Sequence, residues 1–198
     1  HLRPLQQRIL ALIDEDEMDI DIRRARAHIA SWNGTAGADQ VGFRILLLLD
    51  RLLTEEVLQR VLPGSMDYAI RVDQTALRRL IDQADMDCIP IRFDSWDEAH
   101  DVLFRSVVES MVAEEGDGGG LDLPWGLVNR SEIMHPFSKG TPWGGAQLDL
   151  PRHPQSGHPS AVRVAHPRFG ASARLVVGPG HEQEGILQTP GGQSGHFL

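Results

Sequence analysis

Cysteine, lysine and long apolar runs are what this sequence has least of. Cys88 is its single cysteine, which excludes an intrachain disulfide and a cysteine-based zinc site and leaves the redox compartment open. Lys139 is the sole lysine among 19 basic residues, a skew that reads as coding-sequence bias and carries no chemistry. No stretch reaches the ~18 apolar residues that a membrane span needs; the densest, Ile45 to Leu49, is broken by Asp50 and Arg51. The first residues lack the basic-then-apolar order of a secretory signal. The chain opens on His1, as expected of a sequence processed or cut from a longer one. No segment recurs at a fixed period, which excludes a helical-repeat array.

What remains is ordinary for a soluble globular protein: 198 residues, 41% hydrophobic and 24% charged. That length accommodates one large or two small domains. Charge is unevenly spread. Residues 1–124 hold 13 basic and 24 acidic side chains, net −11, and residues 125–198 hold 6 and 4, net +2. An acidic half of this size argues against nucleic acid, which would require a basic stripe, and reads as the solvated surface of helices.

Texture divides the chain into a helical segment (1–113), a Gly/acidic linker (114–124) and a strand-and-loop segment (125–198), an α+β class. Pro4 suits a first helical turn, and Leu5, Ile9, Leu12 and Ile13 then keep the 3.6-residue period. Ile22, Ala25, Ile29 and Trp32 repeat it until Asn33-Gly34. Gln40 to Leu62 reads as a long helix, apolar on so many sides that it must lie between others. Asp73 is placed to cap a fourth helix facing inward through Leu77, Leu80, Ile81 and Ala84. Ser95 with Glu98 forms a capping box for a fifth, with Val102, Leu103, Val107 and Met111 inward. Gly116 to Gly120 is a connector. Beyond it fall 9 of the 12 prolines and 6 of the 9 histidines. Strands are expected at Leu127 to Met134, Ala171 to Val177 and Gly185 to Gln188, and Gly140 to Pro167 should wrap over other protein.

Motifs that carry chemistry are near misses. Gly192-Gln193-Ser194-Gly195-His196 approaches the nucleophile elbow but has histidine where glycine belongs, and Pro190-Gly191-Gly192 precedes it in place of a strand; it reads as a turn. Gly170-Ala171-Ser172-Ala173-Arg174 fails the same way and leads into a strand, with Arg174 available to pair with a carboxylate. His153, His158, His166, His181 and His196, with Asp149 and Glu182, have no i, i+4 ligand spacing, and most adjoin proline in irregular chain; surface or packing roles fit them better than a metal. Gly118 to Gly120 lacks the Lys-Ser/Thr of a phosphate loop. Leu46 to Leu49 reads as core before oligomer face. The residues alone therefore give no nucleophile, acid and base together: catalytic none, metal none, substrate contacts unknown.

Order and spacing over the last 75 residues add more. Pro124-Trp125-Gly126, Asn129, His135-Pro136-Phe137-Ser138, Leu148-Asp149-Leu150-Pro151, Phe169 to Val177, Pro179-Gly180-His181-Glu182 and Pro190 to His196 together resemble the C-terminal part of the large chain in the penicillin acylase family. Phe197 departs from the proline that continues the family's closing signature. The resemblance implies an N-terminal-nucleophile hydrolase built as a four-layer αββα sandwich. In that family the first serine of the large chain attacks an amide carbonyl, with its own α-amine as base, and an asparagine helps form the oxyanion hole. Substrates include penicillins, cephalosporin derivatives and acyl-homoserine lactones.

No catalytic position of the family maps onto this chain, and Asn129, in a different motif, is not its oxyanion asparagine. The family's calcium site also lies earlier in its precursor, so the resemblance implies neither metal nor cofactor here. It implies a structural portion of an amide hydrolase, inactive alone. Residues 125–198 would supply strands to the sandwich, and residues 1–113 would pack beside it and help wall the acyl pocket. The partners would be the small chain and the preceding part of the large chain, with no nucleic acid and no membrane, in the periplasm or outside the cell. The alternative is a free-standing binding or helper module derived from that family; a serine hydrolase using Ser194 ranks below both.

Overall fold

A computed structural model describes residues 2–63, 74–114, 120–134, 138, 149–170 and 173–188. The chain forms two compact units. The first comprises residues 1–35 and 40–124, the second residues 36–39 and 125–198.

The first unit is helical: α1 (Arg3–Leu12), α2 (Ile20–Ser31), α3 (Val41–Val61), α4 (Gln74–Asp82), a 3₁₀ turn at Met86–Cys88, and α5 (Trp96–Ala113). The apolar spacing of each helix explains its buried face. Leu5 and Ile9 of α1, and Ile22, Ala25 and Ile29 of α2, are all buried. α3 packs against α1, α2, α4 and α5, and Ile45, Leu46, Leu49, Leu53 and Val57 are fully inaccessible. Of the run Leu46 to Leu49, Leu46 and Leu49 thus belong to the core, while Leu47 and Leu48 are half-buried. Each such side chain stabilises the unit by about 1.5–3 kcal/mol relative to exposure, and Leu49→Ala would cost about 2–5 kcal/mol.

Helix ends are closed by identifiable groups. The Asp19 carboxylate accepts from the amides of Asp21 and Ile22 at 2.9 and 3.2 Å, the bonds an N-cap makes. At the far end of α2, α1 supplies the donors. Gln6 Nε2 donates to Ile29 O at 2.7 Å, and the Arg3 guanidinium donates to Asn33 O at 2.6 Å. Gly34 has φ +90° and leaves room for that guanidinium; a Cβ there would meet it.

Ser95 Oγ accepts from Glu98 N at 3.1 Å, as the capping box requires. The Glu98 carboxylate, however, accepts from Asp94 N at 2.8 Å, one residue earlier than the motif implies. On α5, Leu103, Val107 and Met111 face inward, but Val102 is 37% exposed. The inward stripe runs through Trp96, Ala99, His100, Leu103 and Phe104, and Val102 lies off it. Asp73 lies outside the described residues.

The second unit holds α6 (Trp125–Val128) and two antiparallel ribbons. β1 (Ala165–His166) pairs with β2 (Phe169–Gly170), and β3 (Arg174–Val176) pairs with β4 (Ile186–Gln188) in the register Arg174↔Gln188, Leu175↔Leu187, Val176↔Ile186. β3 and β4 fall inside the stretches expected to be strands. The strand expected at Leu127 to Met134 is not one. Residues 125–128 form a helical turn, and the chain after it is held by single bonds to distant segments: Ser131 N to His153 O, Glu132 N to Pro167 O and Leu150 N to Ile133 O. No helix among the described residues is long and apolar enough to cross a membrane. The class is α+β, helix-rich with short antiparallel strands.

Candidate functional site

One buried polar cluster of the second unit is built on the Gly157 carbonyl. Trp125 Nε1 donates to it at 2.7 Å and Asn129 Nδ2 at 3.2 Å. Asn129 is 2% exposed; buried amides of this kind require partners, and its second contact is Gln155 O at 3.5 Å. Asn129 follows directly on α6, and its backbone N–H donates to Trp125 O at 2.8 Å, which sets the two side chains one turn apart. Gly157 has φ +105°, and a Cβ there would run into Arg163 O. The His158 ring stands 6.0 Å from that of Trp125, and burial lowers its pKa, with the nearby His166 acting in the same direction.

Close by in sequence, Ser131 Oγ lies 3.1 Å from His153 Nδ1, the spacing of a nucleophile and its base. The surrounding bonds give the pair another role. Ser131 is 4% exposed, and its oxygen already accepts from His153 N at 3.1 Å. Pro151 O sits 3.2 Å from Oγ and 3.0 Å from Nδ1. A carbonyl only accepts, so Nδ1 next to it carries the proton and is no base for the hydroxyl. The cluster joins residue 131 to residues 151–153. No motif marked Ser131, because its partner is 22 residues away and the spacing carries no signal.

The histidines proposed as possible ligands are dispersed into separate turns. His158 Nδ1 accepts from Ser160 N at 3.2 Å, and His166 Nδ1 from Arg168 N at 3.3 Å. His181 Nδ1 lies 3.5 Å from the Glu184 carboxylate. Glu182 accepts from Gly180 N at 2.9 Å, and this backbone bond holds its carboxyl below the usual range. Among the described residues no group of three or more His, Cys, Asp or Glu is placed to hold a metal ion. Ser172, Ser194, His196 and the side chain of Arg174 lie outside the described residues. Of the glycine run, Gly120 is described: its carbonyl accepts from the buried Arg44 at 2.7 Å, and Arg44 also pairs with Glu114 at 3.2 Å. Cys88 is half-buried with a thiol pKa raised by burial and by Asp85 and Asp87, the opposite of a reactive thiolate.

These clusters tie backbone to backbone within an α+β chain. The family model for penicillin amidase matches residues 2–198, and the chain belongs to that family. Among curated proteins none matches its sequence.

Proposed function

We propose that this chain is a structural portion of an N-terminal-nucleophile amide hydrolase, the C-terminal part of its large chain, with the attacking serine carried on a segment outside these residues. The substrate class is a linear amide such as the side chain of a penicillin, a cephalosporin or an acyl-homoserine lactone. The β3–β4 ribbon carries the reading. Leu175, Val176, Ile186 and Leu187 are 66%, 59%, 67% and 64% exposed. Leu175 opposes Leu187 on one face and Val176 opposes Ile186 on the other. A ribbon apolar on both faces suits the interior of a layered body, and a two-stranded ribbon is marginal alone. In the αββα arrangement a strand pair meets the second sheet on one face and helices on the other. The family match across residues 2–198 supports the same assignment.

The partners on this reading are the remaining segments of the precursor, in the periplasm or outside the cell. The test is complementation. The small chain and the preceding part of the large chain of a family precursor are co-expressed with and without this chain, and release of the acyl group from a chromogenic amide is measured. Hydrolysis that requires this chain is expected. A mixture that never hydrolyses amides, while this chain alone melts cooperatively as a monomer, would overturn the reading in favour of a helper module.

A further inference from the structure

Asparagine occurs twice in the sequence, at Asn33 and Asn129. Asn129 is buried and bonded, whereas Asn33 is exposed and followed by glycine. The surroundings of Asn33 act on one covalent path. Thr35 N donates to Asn33 Oδ1 at 2.9 Å, and Thr35 Oγ1 donates to the same oxygen at 2.7 Å. The first bond closes an Asx turn, a ring that bends the path from Asn33 Cγ through Cβ, Cα and C to Gly34 N. Together the two donors polarise the carboxamide and are placed for the oxyanion that attack at Cγ would create. Gly34 N donates to no group among the described residues. The Arg3 guanidinium donates to Asn33 O at 2.6 Å and lies against Gly34, where a Cβ would stand 2.5 Å from one of its nitrogens. Its charge favours loss of the proton from Gly34 N. Gln6, at 2.8 Å, and the Trp32 ring, at 5.1 Å, hold that guanidinium in place. Downstream, Ala36 O accepts from Gly157 N at 2.7 Å and Ala38 N donates to Ser156 Oγ at 2.9 Å, so the residues after the turn are held as well.

We propose that Asn33–Gly34 is a self-modification site, at which the fold promotes succinimide formation and conversion of Asn33 to aspartyl and isoaspartyl forms. Gly34 N gives up its proton to solvent, and its electron pair forms the bond to Asn33 Cγ. The tetrahedral intermediate collapses by breaking the bond from Cγ to the side-chain nitrogen, which takes up a proton and leaves as ammonia. Water then adds across one of the two imide C–N bonds. Opening at Cγ gives the aspartyl form, and opening at the main-chain carbon gives the isoaspartyl form. In the second product the former Asn33 carbonyl is a carboxylate already facing Arg3, an ion pair that favours it. The proposal is independent of the hydrolase reading.

Peptide mapping by mass spectrometry of the full chain, aged at mildly alkaline pH, tests it against a synthetic peptide of residues 30–38. The full chain is expected to convert Asn33 at least as fast as the peptide, with a larger isoaspartyl share, and to leave Asn129 intact. Thr35→Val, which removes the hydroxyl donor, should slow conversion about fivefold, the effect of one hydrogen bond, and Arg3→Gln should slow it and lower the isoaspartyl share. A full chain that converts about tenfold more slowly than the peptide would overturn the proposal, as would both variants converting as fast as the parent. Should Arg3→Gln loosen the end of α1, seen as a lowered Tm, Thr35→Val decides alone, since its side chain is exposed.

Discussion

Asn129 shows how much one buried amide can carry. It faces two carbonyls, those of Gly157 and Gln155. Asn129→Ala should cost about 1–3 kcal/mol, with Gly157 O still served by Trp125. Asn129→Asp should cost more, on the order of 3 kcal/mol, because a buried carboxylate would face acceptors with no donor. Urea titrations of both variants would check the order; an aspartate variant as stable as the parent would contradict the geometry. His100 makes a second prediction. It is 2% exposed, and Nδ1 donates to Trp96 O at 2.5 Å. Burial lowers its pKa, opposed by that bond and aided by Arg8. A histidine whose folded pKa lies below its unfolded value of about 6.5 contributes stability above that pH. The contribution is lost as pH falls toward the folded value, by at most about 1.4 kcal/mol per pH unit. His100→Asn should therefore flatten the loss of stability between neutral and mildly acidic pH, read from melting curves.

At the scale of elements, the helical half was legible because burial and period coincide. Leu5 and Ile9, the α2 stripe and, on α3, Ile45, Leu46, Leu49, Leu53 and Val57 occupy the core that their spacing implies. Ser95→Ala should destabilise the first unit by about 1 kcal/mol, seen as a lowered Tm. The second half was less legible. Leu127, Val128, Ile133 and Met134 offered enough apolar character to suggest a strand. Their conformation is instead decided by Trp125, Asn129 and Ser131 reaching the segments at 151–157, and partners that far along the chain leave no local period. The serines of the near misses to catalytic motifs, Ser172 and Ser194, lie outside the described residues, and the Ser131–His153 contact had no trace in the sequence at all.

Across the whole molecule, the acidic helical residues and the slightly basic remainder differ in surface as well as sign. Exposed Leu175, Val176, Ile186 and Leu187 form apolar surface on a two-stranded ribbon, and such surface promotes association. Light scattering of the isolated chain should rise with concentration, and Val176→Thr with Leu187→Thr should reduce it. The same pair should leave the chain's melting within about 0.5 kcal/mol, since exposed positions contribute little, and, on the function proposed above, should weaken complementation by the partner segments that reading assigns.

The bonds that hold Ala36–Asp39 also set an order in time. Ala38 N finds its acceptor on Ser156, 118 residues further along. At roughly 5–20 residues per second of synthesis, that segment waits on the order of 6–24 s on the ribosome before its partner exists. Asp122, which pairs with Arg24 98 residues earlier, arrives first. The connection between α2 and α3 is therefore made early and ordered late, after the helices on either side of it have had time to pack.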